Sequence, residues 1–177
     1  MNTTDSTNNS ATRSARIGDS RLASRLRREL EGEVLFEPFE RGRYSTDASI
    51  YQIEPLGVVV PRNREDILRT IQIAVDEGIP LLPRGGGTSQ IGQTVGESLV
   101  IDTSKYLRSV IDLDTEKRRV RVQPGLVLDQ LNRHLKPHGL FYPVDVSTGN
   151  RATLGGMAAN NSCGARSIRY GNMVHNV

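Results

Sequence analysis

The residues best suited to chemistry lie in the glycine-rich stretch 83–93, whose sequence is PRGGGTSQIGQ. Three successive glycines permit positive φ and close backbone approach, so that consecutive N–H groups can turn toward one anion. Arg84 adds a permanently charged guanidinium, and Thr88 and Ser89 add hydroxyl donors. This combination suits a phosphate or a pyrophosphate, and by composition alone it also suits an ordinary flexible turn.

The glycine loop, defined here as residues 85–93, matches neither of the two common nucleotide-binding motifs. A dinucleotide fingerprint requires a third glycine where this chain has Gln90, and a helix directly afterwards. The Gly-Lys-Ser/Thr ending of a P-loop is absent as well. Residues 94–97 are poor helix formers, and residues 98–101 have the pattern of a strand. We therefore expect the loop to join strand to strand and to hold phosphate by backbone N–H groups.

A second stretch, residues 143–164, combines small residues with side-chain amides. Thr153 can cap a short helix that follows it. Paired glycines and paired asparagines then offer hydrogen-bonding groups without bulk. Such a segment allows a flat ligand to approach closely, and it equally allows the close approach of another backbone.

The elements that position these stretches are predicted from periodicity and caps. Asn63 caps a helix that Gly78 ends. The inner stripe predicted for this helix consists of Ile67, Ile71, Ala74 and Val75. A strand, a helix and a strand in succession form one βαβ unit. The predicted elements of this region are strands at 57–61, 79–82 and 98–102 and a helix at 64–77.

Further elements are predicted on both sides of that unit. Asp19 or Ser20 caps a helix that runs to about Glu31, ends at Gly32 and packs on the outside of the domain. Residues 34–53 are expected to be irregular. A hairpin pairs residues 109–113 with residues 118–123, and a helix covers residues 126–136. The first of these helices turns the leucines at positions 22, 26 and 30 inward, and the second turns those at positions 128, 131 and 135 inward. The strand pairing favours a mixed α+β class.

The composition excludes several classes of function. Of the 177 residues, 36% are apolar and 24% are charged, and the formal net charge is +3. The arginines concentrate near the amino terminus and no basic face with stacking aromatics is evident, so nucleic-acid binding is not expected. No apolar run approaches the ~20 residues needed to cross a bilayer. Residues 1–18 are rich in Ser, Thr and Asn and are predicted to be disordered.

The single cysteine, Cys163, indicates the redox environment. One cysteine cannot form an internal disulfide, so a reducing compartment is expected, and we predict a cytoplasmic location. Because no second cysteine could resolve an oxidised thiol, Cys163 is predicted to be a packed small residue.

Taken together, the two stretches resemble the amino-terminal half of the FAD-binding domain of the p-cresol methylhydroxylase and vanillyl-alcohol oxidase superfamily, called PCMH-type here. The resemblance runs from about Ile50 to the last residue. It is strongest to FAD-linked oxidases of D-2-hydroxy acids, such as D-lactate, glycolate and D-2-hydroxyglutarate dehydrogenases. The run from Asn160 to Gly171 is similar to the longer members, often fused to an iron–sulfur domain. The resemblance implies an FAD-dependent oxidoreductase of a D-2-hydroxy acid.

The resemblance also implies which residues contact FAD. The pyrophosphate contacts would be Arg84, Gly85, Gly86, Gly87, Thr88, Ser89, Gly92 and Gln93. The contacts along the flavin and its ribityl chain would be Pro143, Asp145, Ser147, Gly155, Gly156, Asn160, Asn161 and Gly164. Relatives that attach FAD covalently often have a histidine right after the glycines, where this chain has Thr88, so FAD is expected to be bound non-covalently.

The family's FAD domain continues past residue 177, so the resemblance implies a truncated amino-terminal part of that domain. The expected organisation is a tail at 1–18, a helix and irregular segment at 19–49, and a partial FAD domain at 50–177. The substrate domain, which supplies the catalytic base and any metal ligands, would lie outside the chain. No catalytic or metal-binding residue is therefore predicted, and the histidines at 134, 138 and 175 are expected to be structural or solvent-facing.

Two other interpretations remain open at this point. A flavin reductase of cell-wall precursor synthesis shares the fold, although the segment from Asn160 to Gly171 argues against it. The chain could also be a non-catalytic remnant of an FAD domain that binds nothing tightly.

Overall fold

A mixed four-stranded sheet is the centre of the computed structural model, which describes residues 16–177. The strand order is β1-β2-β4-β3; β1 is antiparallel to β2, whereas β2 and β3 both run parallel to β4. A separate antiparallel hairpin, β5–β6, lies outside this sheet. The strands are β1 (Glu33–Leu35), β2 (Gly57–Val60), β3 (Leu81–Arg84), β4 (Leu99–Asp102), β5 (Val110–Asp114) and β6 (Arg119–Val122).

Six α-helices accompany the strands in the described part of the chain. They are α1 (Ser20–Glu29), α2 (Pro38–Gly42), α3 (Arg64–Glu77), α4 (Leu128–Leu135), α5 (Leu154–Ala159) and α6 (Ser167–Tyr170). Two 3-10 turns, Lys136–His138 and Met173–His175, follow α4 and α6. Strands and helices in these proportions agree with the predicted α+β class. None of the helices within residues 16–177 is long and apolar enough to cross a membrane.

The predicted βαβ unit is present, because β2, α3 and β3 follow one another as expected. The Asn63 side chain accepts a hydrogen bond from Asp66 N at 2.8 Å and begins α3. Gly78, with φ of 62°, ends the same helix in the left-handed conformation. Strand β4 then inserts between β2 and β3. The glycine loop therefore connects two neighbouring strands directly, as predicted.

The inner stripe predicted for α3 is largely wrong. Ile71 is exposed and Val75 is 70% exposed, whereas Ile73 and Ala74 are buried. The buried face also contains two polar residues, Asp66 and Thr70.

These two polar residues are buried at low cost because their hydrogen bonds are satisfied. The Asp66 carboxylate accepts from the backbone N–H groups of Glu31, at 2.9 Å, and Arg62, at 2.8 Å. The Thr70 hydroxyl donates to the Asp66 carbonyl at 2.7 Å. Backbone N–H groups outside α3 therefore determine which face of the helix is buried. Hydrophobic periodicity cannot detect such hydrogen bonds.

The amino-terminal segment is more integrated with the sheet than the sequence predicted. Helix α1 ends at Glu29, two residues before the expected end, and Leu30 is already extended. Strand β1 lies within the region predicted to be irregular, and it pairs with β2. Helix α1 packs with its leucines inward, as predicted: Leu22 and Leu26 are fully buried against the sheet with Phe36, Val59, Ile73 and Leu99, whereas Arg27 and Arg28 on the other face are exposed.

The disorder predicted for residues 1–18 falls mostly outside the described residues. At its described end, Gly18 N donates to the Leu56 carbonyl at 2.9 Å, so this position is anchored.

A second core joins the carboxyl-terminal half. The leucines of α4, at positions 128, 131 and 135, are buried as predicted. They pack with Leu154 and Met157 of α5, and the apolar side chains of the β5–β6 hairpin cover them. This packing fixes the start of α5 beside the end of β3.

The buried face of α1 yields a stability prediction. Leu26→Ala should lower the free energy of unfolding by about 2–5 kcal/mol, since it opens a cavity in the core. The matched control is Leu68→Ala on α3, where the side chain is 48% exposed and the change should stay within about 0.5 kcal/mol. Urea unfolding followed by circular dichroism measures both, and equal midpoints for the two variants would contradict the placement of α1 in the core.

Candidate functional site

A cleft of about 310 Å³ lies between the glycine loop and the segment 146–162. The loop enters from the end of β3, and the opposite wall is built from the start of α5 and the chain before it. The two stretches singled out in the sequence therefore face each other. The lining residues are Gly85, Gly86, Gly87, Thr88, Ser89, Gln90, Ile91, Gln93, Thr94, Val146, Thr148, Ala152, Thr153, Gly156, Met157, Asn160 and Ser162.

Close packing against the opposite wall requires glycine at the first two loop positions. A Cβ added at Gly85 would lie 2.1 Å from Thr153 Oγ1, and one added at Gly86 would lie 2.5 Å from the Arg151 carbonyl oxygen. Both close backbone approach and positive φ were expected from the sequence; within the triplet only Gly87 has positive φ, at 63°. Gly85 and Gly86 are thus needed for space, whereas Gly87 is needed for its backbone conformation.

The glycine loop, which lines this cleft, contains a run of backbone donors without partners in the described part of the chain. Within residues 16–177, the N–H groups of residues 86–90 have no hydrogen-bond acceptor. Beyond them, the Ser89 hydroxyl oxygen accepts from Ile91 N at 3.3 Å and from Gln93 N at 3.4 Å, and the hydroxyl group donates to the Gln93 side chain. Consecutive unpaired N–H groups in a glycine-rich turn form an anion-binding concavity.

Arg84 uses its guanidinium on backbone carbonyls. Nη1 donates to the Thr94 carbonyl at 3.1 Å and to the Tyr44 carbonyl at 3.3 Å, and Nη2 donates to the Thr46 carbonyl at 2.8 Å. Burial lowers the pKa of Arg84, and the negative charges of Asp102 and Asp47 oppose that effect. The arginine stays charged, because the ordinary pKa of a guanidinium is far above neutrality.

Residues 44–47, which lie beside Arg84, are held by further hydrogen bonds. The Tyr44 hydroxyl donates to Asp102 Oδ2 at 2.8 Å, and burial together with the Asp102 charge raises the pKa of Tyr44. The Thr94 hydroxyl donates to Asp47 Oδ2 at 3.0 Å. Burial acts to raise the pKa of Asp47, but hydrogen bonds from Ser49 and Thr94 lower it overall. Tyr44 therefore stays neutral and Asp47 charged near neutral pH.

In the second stretch, Asp145 supports neighbouring backbone. Its carboxylate accepts from Arg166 N at 3.0 Å and lies 3.5 Å from Arg166 Nε. Gly164 packs on the same residue, since a Cβ there would lie 2.3 Å from the Asp145 carbonyl oxygen. Asn161, with φ of 45°, accepts from Val174 N at 3.0 Å. These contacts fold the chain after α5 back onto the segment before it.

The sixteen residues assigned to the cofactor by resemblance divide into two groups. The structure brings eight of them together in the cleft: Gly85, Gly86, Gly87, Thr88, Ser89, Gln93, Gly156 and Asn160. It leaves eight outside that lining: Arg84, Gly92, Pro143, Asp145, Ser147, Gly155, Asn161 and Gly164. Pro143 and Gly155 instead line a groove of about 1270 Å³ beside the β5–β6 hairpin. Their assignment to a cofactor stays a prediction.

Several lining residues were not named from the sequence. Val146 and Thr148 line the cleft, whereas Ser147 between them is exposed and lies outside the lining. Ser147 and Thr148 begin a turn over residues 147–150, so the alternation of side chains in an extended chain does not identify which of them face the cleft. Thr153, predicted only as a cap, accepts from Gly156 N at 3.3 Å and also lines the cleft. Its position two residues before the paired glycines was the signal available.

The remaining residues with reactive side chains lie away from this cleft lining. The prediction that Cys163 is a packed residue is wrong, because the side chain is exposed. His134, His138 and His175 are also exposed, as expected. The His175 Nδ1 accepts a hydrogen bond from Asn172 N at 3.0 Å.

Comparisons with known proteins show which family the chain is similar to. Residues 55–177 match the family described as FAD binding domain. The chain is 39% identical over 150 residues to the D-2-hydroxyglutarate dehydrogenase of Haemophilus influenzae, covering 83% of this chain and 15% of that protein. It is 35% identical over 147 residues to the glycolate oxidase subunit GlcD of Bacillus subtilis, covering 81% of this chain and 31% of that protein.

Two further comparisons extend the set. The chain is 39% identical over 124 residues to the mitochondrial D-lactate dehydrogenase [cytochrome] of Kluyveromyces lactis, covering 68% of this chain and 21% of that protein. A solved structure of alkyldihydroxyacetonephosphate synthase matches with a TM-score of 0.77 at 21% identity, and the match covers 31% of that protein's chain. That likeness establishes a common fold. The chain thus spans less than a third of the length of each of these proteins.

The contact between Gly85 and Thr153 yields a prediction of energetic coupling. Gly85→Ala should destabilise the protein by about 1–3 kcal/mol, because the new methyl collides with the Thr153 hydroxyl. Thr153→Ala alone should cost about 0.5–2 kcal/mol through loss of the α5 cap. The double variant should cost less than the sum, since removal of the hydroxyl makes room for the methyl.

Denaturant unfolding of the three variants measures this cycle. Gly42→Ala is the matched control, because a Cβ at Gly42 meets nothing within 4 Å and should not destabilise. Strict additivity of the two single changes would show that the loop does not pack on the start of α5.

Proposed function

This chain belongs to the FAD binding domain family, and we propose that its glycine loop binds the FAD pyrophosphate in an oxidoreductase of a D-2-hydroxy acid. The family has the PCMH-type fold, with FAD as its cofactor. The relatives include dehydrogenases of D-2-hydroxyglutarate and of D-lactate and a glycolate oxidase subunit. Because the chain covers only a small share of these proteins, the substrate and the complete reaction are part of the proposal.

The observation that carries the proposal is the run of unpaired N–H groups at residues 86–90. A pyrophosphate carries negative charge on several oxygens, each of which accepts hydrogen bonds strongly. Successive backbone donors in a glycine-rich turn can satisfy such a group without the helix terminus that a dinucleotide fingerprint uses. The loop needs no cationic side chain for this task.

The opposite wall of the cleft suits the remainder of such a cofactor. Ala152, Gly156 and Met157 contribute apolar groups to this wall, and Asn160 contributes an amide. Asn160 Nδ2 donates a hydrogen bond to the Gly156 carbonyl at 2.9 Å. The side-chain oxygen of Asn160 accepts no hydrogen bond within the described residues. A flat heterocycle needs this combination of small residues and a few polar groups.

The size of the cleft supports contact with only part of FAD. A pocket of about 310 Å³ is at the lower limit for small-molecule sites. We therefore assign to this cleft the pyrophosphate and the adjoining part of one flat ring system, and the rest of the cofactor to other parts of the complete protein. FAD supplies the hydride chemistry when it is bound, and the residues of this chain bind and orient it.

Non-covalent attachment of FAD belongs to the same proposal. Thr88 occupies the position after the glycines, and no histidine or cysteine lies in the loop. We further propose that a separate substrate domain binds the D-2-hydroxy acid, that an iron–sulfur domain or subunit is a partner, and that the protein is cytoplasmic.

A ligand series tests the pyrophosphate site directly. The protein should bind FAD and ADP in competition with each other, whereas riboflavin, which lacks phosphates, should bind at least about tenfold more weakly, the equivalent of one charge-assisted hydrogen bond. Isothermal titration calorimetry with wild type and Gly86→Val measures this. The valine collides with the Arg151 carbonyl and should weaken FAD and ADP alike. Equal affinity for riboflavin and FAD would contradict the assignment of a pyrophosphate site to the glycine loop.

The reaction is tested on the complete protein that contains this chain. Under anaerobic conditions, D-2-hydroxyglutarate, D-lactate or glycolate should bleach the visible absorbance of the bound flavin, and L-2-hydroxyglutarate and L-lactate should not. Acid precipitation should leave a colourless pellet and release all flavin, because every contact is reversible. Bleaching by NADPH alone would instead favour a flavin reductase, and a protein that never takes up flavin would be a remnant.

A further inference from the structure

We infer that Arg84 is a positioning residue that holds the glycine loop in shape from behind, and that it is not a ligand of the phosphates. This inference rests on the proposed function, because the loop it shapes is the proposed pyrophosphate site. It differs from the role predicted for the guanidinium, which was direct attraction of the anion.

The contacts of Arg84 join three separate parts of the backbone. Both N–H bonds of Nη1 are used, one on the Tyr44 carbonyl and one on the Thr94 carbonyl, and Nη2 donates to the Thr46 carbonyl. Arg84 itself is the last residue of β3, and Thr94 directly follows the loop. One side chain therefore ties the two ends of the glycine loop to each other and to residues 44–46.

Gly87 lies directly against this guanidinium. A Cβ added at Gly87 would be 2.8 Å from Arg84 Nη2 and 3.3 Å from Cζ. Arg84 does not line the cleft, although Gly85, Gly86 and Gly87 do. The arginine thus supports the turn while the backbone of the same turn faces the cleft.

The charge of Arg84 is already balanced within the protein. The Tyr44 ring lies 5.3 Å from the guanidinium carbon, close enough for a cation–π interaction. The carboxylates of Asp102 and Asp47 act on the same guanidinium, and both are held by hydrogen bonds of their own. A cation with two anionic neighbours and an aromatic face attracts an external anion weakly. Its five donors in a fixed plane are suited to holding several carbonyls at once.

The test measures loop mobility in the FAD-free protein, so that no ligand is involved. Arg84→Lys keeps the charge but cannot span three carbonyls. The backbone order parameters of residues 86–94 and 44–47 should fall from about 0.85 to below about 0.6. Arg43→Lys is the control: it makes the same change at an exposed neighbour and should leave both segments rigid. Unchanged order parameters in Arg84→Lys would overturn the inference.

A second variant tests the same contact without altering the arginine. Gly87→Ala should displace the guanidinium and loosen residues 44–47, which lie on its far side. Gly78→Ala controls for backbone strain, because Gly78 has nearly the same φ, 62°, and nothing within 4 Å of its Cβ position. If Gly87→Ala leaves residues 44–47 as ordered as Gly78→Ala does, the guanidinium does not hold that segment.

Titration with ADP then separates this inference from the proposed function. The Arg84→Lys protein should bind ADP about threefold to tenfold more weakly, since the loosened loop must be ordered on binding. An intact FAD-free loop combined with a larger loss of ADP affinity would make Arg84 a phosphate ligand and refute the inference. If the wild-type protein binds neither ADP nor FAD, the proposed function fails, while the order parameters still decide the role of Arg84.

Discussion

The direct connection between the parallel strands β3 and β4 is the constraint on which the rest of the site depends. Two parallel neighbouring strands need a crossover connection of a dozen or more residues. That connection is usually an α-helix, whose backbone groups form hydrogen bonds with one another. Here residues 85–98 cross without a helix, so part of their backbone has no partner within the crossover. The loop is kept in place from two sides, by Arg84 behind it and by the segment 151–156 in front of it.

That front support depends in turn on the carboxyl-terminal core. Leu154 N donates to the Leu126 carbonyl and Gly155 N to the Pro124 carbonyl, both at 2.8 Å, which ties the start of α5 to the chain before α4. Gly155 needs its missing side chain there, since a Cβ would lie 2.6 Å from Pro124 Cβ. The cleft therefore lies between the glycine loop and the carboxyl-terminal core, which contributes Ala152 and Met157 to its lining, and a change in the packing of that core should alter its width.

The sequence was a sufficient guide wherever the cause is local. Asn63 and Gly78 set the limits of α3 through a side-chain cap and a left-handed backbone, and both are visible within a few residues. Strand β1 has only three residues and exists because it pairs with β2, which no local pattern encodes. The buried face of α3 was misjudged for a related reason: Asp66 is inside partly because Glu31, which is distant in the sequence, donates to it together with the nearby Arg62.

The same distinction explains how far the candidate site could be predicted. The glycine spacing located the loop correctly, because glycine is the residue that marks close backbone approach. The side chains chosen for their chemistry were less informative: Arg84 and Asp145 both carry suitable groups, yet both hold neighbouring backbone. The donors left free at residues 86–90 are backbone N–H groups, which every residue except proline possesses. A site built from such donors has no side-chain signature of its own, so the charged residues around it are better understood as the parts that keep those donors aligned.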